Sequence, residues 1–216
     1  MKGKKIQIRF GFNHRFLNSI LLAKKLINKN QIGKLLYMRG IYGHGGKKNY
    51  KKEWRGIKKK SGGGQLVDQG IHLIDLARFF FGELKVHNFY LDNIYWNTKV
   101  EDNVFLTLRN KKKLAYLHAS WTEWKNKFNL EIFGRRGKIE IIGKGGSYGP
   151  EILNLYKMRK RKIVPDKKQY NFKNKDNSWI KELNLFFKDI KQNKSSLIHL
   201  NNLYKNFKII DRIYSR

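Results

Sequence analysis

Residues 103–121 read Asn-Val-Phe-Leu-Thr-Leu-Arg-Asn-Lys-Lys-Lys-Leu-Ala-Tyr-Leu-His-Ala-Ser-Trp, and this stretch decides the fold class. Val104, Leu106 and Leu108 recur at every second position, and so do Ala115, Leu117, Ala119 and Trp121. A period of two is that of a strand with one buried face. Asn110–Lys113 between the two runs is a turn, so they pair antiparallel. Working outward, Val86–Tyr95 precedes them as another strand. Leu130 and Ile132 lie in a third strand, Lys138–Ile142 form a fourth, and Ile152–Met158 add one more.

Helical periods flank this block. Leu17, Ile20, Leu21 and Ile27 give a helix ending near Asn28–Asn30, then a turn at Gly33 and a strand over Lys34–Gly43. Lys4–Phe12, with Ile6, Ile8 and Phe10 alternating, reads as a short strand, and Gly45–Ser61 reads as a long loop. Gln65–Phe81 predicts a strong helix between Gly62–Gly64 and Gly82. Two helices close the chain. Trp179, Leu183, Phe186, Phe187 and Ile190 share one face; Leu200, Leu203, Tyr204, Phe207, Ile210 and Tyr214 share another. Helices on one face of an open, mostly antiparallel sheet make an α+β domain.

The composition is globular: 216 residues, 40% apolar and 30% charged, with 30 aromatic side chains. The absence of cysteine excludes disulfides and thiolate metal sites and fits a reducing, cytoplasmic setting. Asp68, His72, Asp75 and Arg78 interrupt the longest apolar stretch, which excludes a membrane span of about 20 apolar residues there. The net charge of +32 would attract any polyanion. Lys, Asn and Ile number 36, 21 and 22, and Ala only 4, a pattern that A/T-rich codons account for. The basic runs Lys58–Lys60, Lys111–Lys113 and 157–162 are scattered, so nucleic acid is not the expected partner.

Asp68 and His72 stand four apart, and Asp75 follows by three, a spacing that places them on one helical face. An imidazole between two carboxylates has its cationic form favoured and can shuttle a proton. The same residues also suit a buried structural network, and an Asp/His metal pair here lacks a third ligand, so no metal is expected. The run 143–149, Gly-Lys-Gly-Gly-Ser-Tyr-Gly, is not a spaced dinucleotide fingerprint. Trp121 and Trp124 at a strand end suit either a pocket wall or a core cap.

Together these pieces resemble the glucose–fructose oxidoreductase / inositol dehydrogenase / MocA (Gfo/Idh/MocA) family in its C-terminal domain. The strongest match is residues 62–75, Gly-Gly-Gly-Gln-Leu-Val-Asp-Gln-Gly-Ile-His-Leu-Ile-Asp. Gly11–Phe16, Gln31–Gly33, Trp54-Arg55, Val100–Asn103, Ala119–Trp124, Leu130–Gly134 and Gly145–Gly149 match in order. The resemblance implies an NAD(P)-dependent sugar oxidoreductase, with sugars that are nucleotide-linked or destined for surface polysaccharide. It implies that Asp68 holds a sugar hydroxyl, that His72 relays a proton, and that Arg15, Trp54, Arg55 and Tyr148 lie against the substrate. It also implies that residues 1–12 are the last strand of a Rossmann domain otherwise missing here, and that 13–216 are the C-terminal domain. The family's Glu-Lys-Pro motif is absent as well.

The expectation is therefore a substrate-binding half from a truncated or split gene, homo-oligomeric through its sheet face. It binds no NAD(P) alone, has unknown cofactor-contacting residues, and needs a separate Rossmann-domain chain. A non-catalytic sugar-binding or assembly module is the alternative, and a polyanion binder the third. Removing Met1–Phe10 is expected to leave the fold intact.

Overall fold

The computed structural model describes residues 6–158, 163–173 and 175–215, the side chain of Ile198 excepted. Residues 103–120 form β3 (Asn103–Arg109) and β4 (Leu114–Ser120), paired antiparallel as their period requires. The other strands are β1 (Leu35–Gly43), β2 (Lys85–Asp92), β5 (Lys127–Gly134), β6 (Gly137–Ile142), β7 (Glu151–Lys157) and β8 (Asp166–Phe172). All eight join in one sheet of order β2-β3-β4-β1-β5-β6-β7-β8. Neighbours are antiparallel except β1 and β4, which run parallel.

The register explains the core. Leu106, Leu117, Gly40, Leu130, Ile141 and Leu153 lie side by side across six strands, and all five side chains are buried. Gly40 completes the row without a side chain because a Cβ there would meet Leu130, Leu73 and Leu117 at 3.1–3.3 Å. That gap lets α3 (Ile71–Phe81) settle on the sheet. The remaining helices are α1 (Asn18–Asn28), the single turn α2 (Lys58–Ser61), α4 (Ser178–Lys191) and α5 (Leu197–Tyr214). α1 packs over β6 and β7, α3 over β1 and β4, and α5 against α3 and β2. The architecture is the expected α+β domain, and the described residues contain no Rossmann unit.

Several local expectations are corrected. No strand forms over residues 6–12; Lys4 and Lys5 lie outside the described residues. The segment spends its polar groups on α4 and the turn before α5. Ile8 N–H donates to Ser196 Oγ at 2.8 Å, Arg9 pairs with Asp189 at 3.0 Å, and Phe12 N–H donates to Glu182 Oε1 at 2.9 Å. This also inverts α4. Glu182 and Asp189 point inward, while Trp179, Leu183, Phe187 and Ile190 are exposed. β8 was not read from the sequence. Within Gly45–Ser61, a 3-10 turn at Trp54–Gly56 and α2 interrupt the loop.

The expected helix over Gln65–Phe81 is also broken in character. Residues Leu66–Gly70 form a π turn before α3 begins. Glu101 fixes this start: its Oε1 accepts the N–H groups of Gly64 and Leu66 at 3.0 Å each and the Tyr214 hydroxyl at 2.7 Å. A Cβ on Gly64 would lie 2.0 Å from the Glu101 carbonyl oxygen, so the close approach requires glycine.

Candidate substrate site

Two histidines meet above the sheet. His14 comes from the 3-10 turn Asn13–Phe16 and His72 from the first turn of α3. Their ring centres lie 4.3 Å apart. Tyr42 on β1 meets the His14 ring edge-on at 5.0 Å, and Phe12 closes over His72 at 6.1 Å. The Nδ1 atoms of both histidines are buried without a hydrogen-bond partner. Burial holds the His14 proton affinity well below the usual range, with help from the His72 and Lys144 charges. Burial, then Lys144, pulls His72 down to about 4. Both rings are neutral at pH 7.

This overturns the expectation of a cationic His72 flanked by two carboxylates. The π turn and the packing of α3 send the three side chains to different partners. Asp75 is buried and takes a bidentate Arg15 guanidinium at 2.6 and 2.5 Å, plus the Asn206 amide at 3.0 Å. Asp68 faces Arg55 at 3.6 Å. His72 is left among rings. Buried among them with no carboxylate near, it loses its proton.

Asp68, Arg55 and Trp54 are brought together. The Arg55 guanidinium lies 4.5 Å over the Trp54 ring. The three residues line a cavity of about 100 Å³ with Gly63, Gly64 and the buried Trp121. Trp121 is thus both core cap and pocket wall, whereas Trp124 is exposed. Burial raises the Asp68 carboxyl, and Arg55 offsets part of that. Arg15 is held in its bidentate pair with Asp75, with its guanidinium 5.3 Å over Phe79 and 5.9 Å over Phe12, the ring that packs on His72.

Tyr148 joins the histidine side of the site. Its hydroxyl accepts from Gln69 Nε2 at 3.2 Å, and its ring lies 5.3 Å from that of Tyr42. Burial pushes both phenols up, so both are neutral donors. Lys144 Nζ lies 4.4 Å from the Tyr148 ring centre and 5.5 Å from that of Tyr42. Burial lowers its proton affinity, and Asp176 works against that. The sequence reading missed His14, Tyr42, Gln69 and Lys144 as site residues. His14 and Gln69 carried a signal, lying inside the matched runs Gly11–Phe16 and 62–75.

Residues 20–140 match the family described as the GFO/IDH/MocA C-terminal domain. The chain belongs to this family. Among curated Gfo/Idh/MocA-type relatives, it is 37% identical over 90 residues to levoglucosan dehydrogenase of Pseudarthrobacter phenanthrenivorans, covering 41% of this chain and 23% of that one. It is 33% identical over 78 residues to glucose-6-phosphate 3-dehydrogenase of Bacillus subtilis, covering 35% of this chain and 22% of the relative. A solved levoglucosan dehydrogenase in complex with NADH and levoglucosan overlays 98% of this chain and 65% of its own, with TM-score 0.79 and 21% identity. The aldose–aldose oxidoreductase of Caulobacter crescentus, complexed with glycerol, gives TM-score 0.80 and 20% identity over 97% of this chain and 61% of its own. The chain therefore spans less than two thirds of each of these structures, and the structural likeness is one of fold.

A dinucleotide needs a cradle for its pyrophosphate, usually a glycine loop feeding a helix N-terminus. Among the described residues, the Gly-rich run 143–149 holds only the short 3-10 turn Gly146–Tyr148. The one parallel pair, β1 and β4, has β2 and β3 between its members in the chain. The run Gly62–Gly64 does precede a helix, but the N–H groups of Gly64 and Leu66 are taken by Glu101 Oε1, so neither glycine run offers a pyrophosphate cradle and no step through NAD(P) is derived. No helix among the described residues is long and apolar enough to cross a membrane.

Proposed function

We propose that this chain is the substrate-binding and oligomerising half of an NAD(P)-dependent sugar oxidoreductase acting on a nucleotide-linked or surface-polysaccharide sugar. One observation carries the reading. A buried neutral His72, with an unpaired Nδ1, follows Asp68 of the Asp68–Arg55–Trp54 rim by four residues in a Gfo/Idh/MocA domain, and the Asp68 charge reaches the two tyrosines on the histidine side. A neutral imidazole has a free lone pair, so it can take a hydrogen bond or proton from a sugar hydroxyl; an imidazolium cannot. Asp68 accepts from a second hydroxyl, and the Trp54 ring offers a stacking face. When bound, NAD(P) supplies a hydride acceptor, and in our reading a separate Rossmann-domain chain holds it.

Two surfaces support partners. α4 exposes Trp179, Leu183 and Phe187 beside residues 6–12, where we seat the Rossmann chain. The uncovered sheet face exposes Tyr37, Tyr90, Leu114 and Tyr116, where we place the homo-oligomer contact.

The test is reconstitution. The purified chain, mixed with the NADH-binding domain of a family member and a panel of sugars, should reduce NAD(P)⁺. Asp68→Asn and His72→Asn should abolish turnover. Absence of turnover in the wild type, or normal turnover in both variants, overturns the proposal.

A further inference from the structure

A second cavity adjoins the one that holds Asp68, Arg55 and Trp54. Its volume is about 380 Å³, against about 100 Å³ for the first. Pockets for small ligands run from about 300 to 1,000 Å³, and only the second falls in that range. Gly63 lines both cavities. A Cβ on Gly63 would fall 2.0 Å from the Tyr214 hydroxyl oxygen, so only glycine fits the wall where the two spaces meet. The single turn α2 also spans them: Ser61 lines the first and Lys58 the second.

The wall of the second cavity mixes donors and acceptors. Asp92 and Glu101 bring carboxylates, Lys58 and Lys99 ammonium groups, and Asn93 and Thr98 an amide and a hydroxyl. Glu101 Oε1 is spent on Gly64, Leu66 and Tyr214, while its Oε2 accepts no hydrogen bond among the described residues. Asn93 Nδ2 donates to Thr98 Oγ1 at 3.0 Å and to the Val100 carbonyl at 3.2 Å, but Asn93 Oδ1 is buried with no partner. A buried acceptor left over in this way calls for a donor from outside the protein. The loop that carries Asn93 and Thr98 is fixed in advance. The buried Asp102 carboxylate accepts the N–H groups of Ile94, Tyr95 and Trp96 at 2.8 Å each. A wall set before the ligand arrives lowers the ordering cost of binding.

This chemistry selects its occupant. An anion would meet two carboxylates, and a cation would meet two ammonium groups. A nucleobase needs a flat apolar face, and the one ring in the wall, Tyr214, is turned to Glu101 by its hydroxyl at 2.7 Å. A neutral polyol suits every group present, because each of its hydroxyls both donates and accepts. Resting on the sugar-site reading above, we infer that the second cavity is a subsite for a second, neutral sugar ring. The reacting ring lies at Asp68 and the next ring lies beyond Gly63, where Lys58 and Lys99 donate to its hydroxyls. Of the two sugar classes proposed, this favours a sugar joined to further sugars over one joined to a nucleotide.

Calorimetric titration of the purified chain at about 0.15 M salt, where diffuse surface charge is screened, tests this. The probes are glucose, cellobiose, maltose, lactose and uridine diphosphate glucose. At least one disaccharide should bind about tenfold more tightly than glucose, a difference of about 1.4 kcal/mol. The double variant Lys58→Ala/Lys99→Ala should erase that gain and leave glucose binding unchanged; both lysines are exposed, and circular dichroism confirms the fold. Lys111→Ala, on the β3–β4 turn, should keep the gain. Asp68→Asn should weaken glucose and disaccharide alike, since both share the first cavity. No disaccharide binding more tightly than glucose, or a gain that survives the double variant, overturns the inference while the sugar reading stands. A gain for uridine diphosphate glucose that exceeds every disaccharide's and vanishes in the double variant gives the cavity to a diphosphate and overturns it too. If no probe binds the wild type, both readings fall.

Discussion

The His14 and His72 imidazoles face each other at 4.3 Å, and neither Nδ1 finds a partner. Two such rings can share this volume only while both are neutral, which ties the stability of the fold to pH. In the unfolded chain His72 titrates near 6.5, and in the fold near 4. Between these values the unfolded chain binds a proton that the folded chain refuses. Stability is therefore level above about pH 6.5 and falls as pH drops toward about 4, by up to about 3 kcal/mol for His72. Urea midpoints measured from pH 7.5 to 4 should show this decline in the wild type, and His72→Gln should lessen it while the buried His14 keeps its own share. Equal acid sensitivity in the two proteins would contradict the assignment.

Arg15 and Asp75 form a bidentate pair whose carboxylate is buried. Replacing Arg15 with Met strands that carboxylate, and the expected loss is about 3–5 kcal/mol. Chemical denaturation measures it. A variant that keeps its stability but loses sugar binding would return Arg15 to the substrate role that the family resemblance implies.

Arg55 and Asp68 make the opposite case. They are 3.6 Å apart, and both are about a third exposed, at 39% and 32% of the side chain. Such a pair contributes less than about 1 kcal/mol to the fold. Arg55→Met should leave the denaturation midpoint nearly unchanged while sugar affinity drops about tenfold through the lost rim contact. A large stability loss with unchanged affinity would reverse the assignment.

The contacts of the N-terminal segment argue against the expectation that it can be removed freely. Arg9 pairs with the buried Asp189, which Lys194 and His199 also reach, and the Phe12 N–H serves the buried Glu182. Deleting residues 1–10 removes Arg9 and should destabilise the chain by about 1–2 kcal/mol. Thermal melts of the deletion and of Arg9→Met should shift in the same direction. An unshifted melt would restore the view of a loose remnant.

Gly64→Ala should also be costly, because its Cβ would fall 2.0 Å from the Glu101 carbonyl oxygen. The expected loss is above about 2 kcal/mol, read by urea denaturation, and Asp68 should lose its alignment with Arg55 at the same time.

The parts legible in the sequence share one property: their signal is periodic or carried by a glycine. β3 and β4 alternate cleanly, and the run 62–75 announces the helix start and Asp68. β8 was missed because residues 166–172 offer only Tyr170 and Phe172 as apolar side chains on an edge strand. α4 read inside out because a helical period tells which residues share a face, not which way that face points. An arginine arriving from residue 9 decided the direction. Tyr42 carried no site signal because a buried strand tyrosine is core as well as site. Lys144 was one lysine among 36, and only its burial between two phenols sets it apart. The charge state of His72 depended on a π turn and on three long-range contacts, neither of which leaves a local pattern.

The parallel pairing of β1 with β4 has a consequence for how the chain is made. β1 (Leu35–Gly43) is hydrogen-bonded to β4 on one side and β5 on the other, and both come far later in the sequence. At a synthesis rate of about 5–20 residues per second, the central strand of the sheet leaves the ribosome seconds before either neighbour exists. β2, β3 and β4 can close as a local meander, and so can β5, β6 and β7, but the two halves become one sheet only when both capture β1. Assembly is then governed by closure over long loops, which is slow. Until that closure, Met38 and Tyr42 have no cover, and the middle of the finished sheet is the part of the nascent chain most in need of a chaperone.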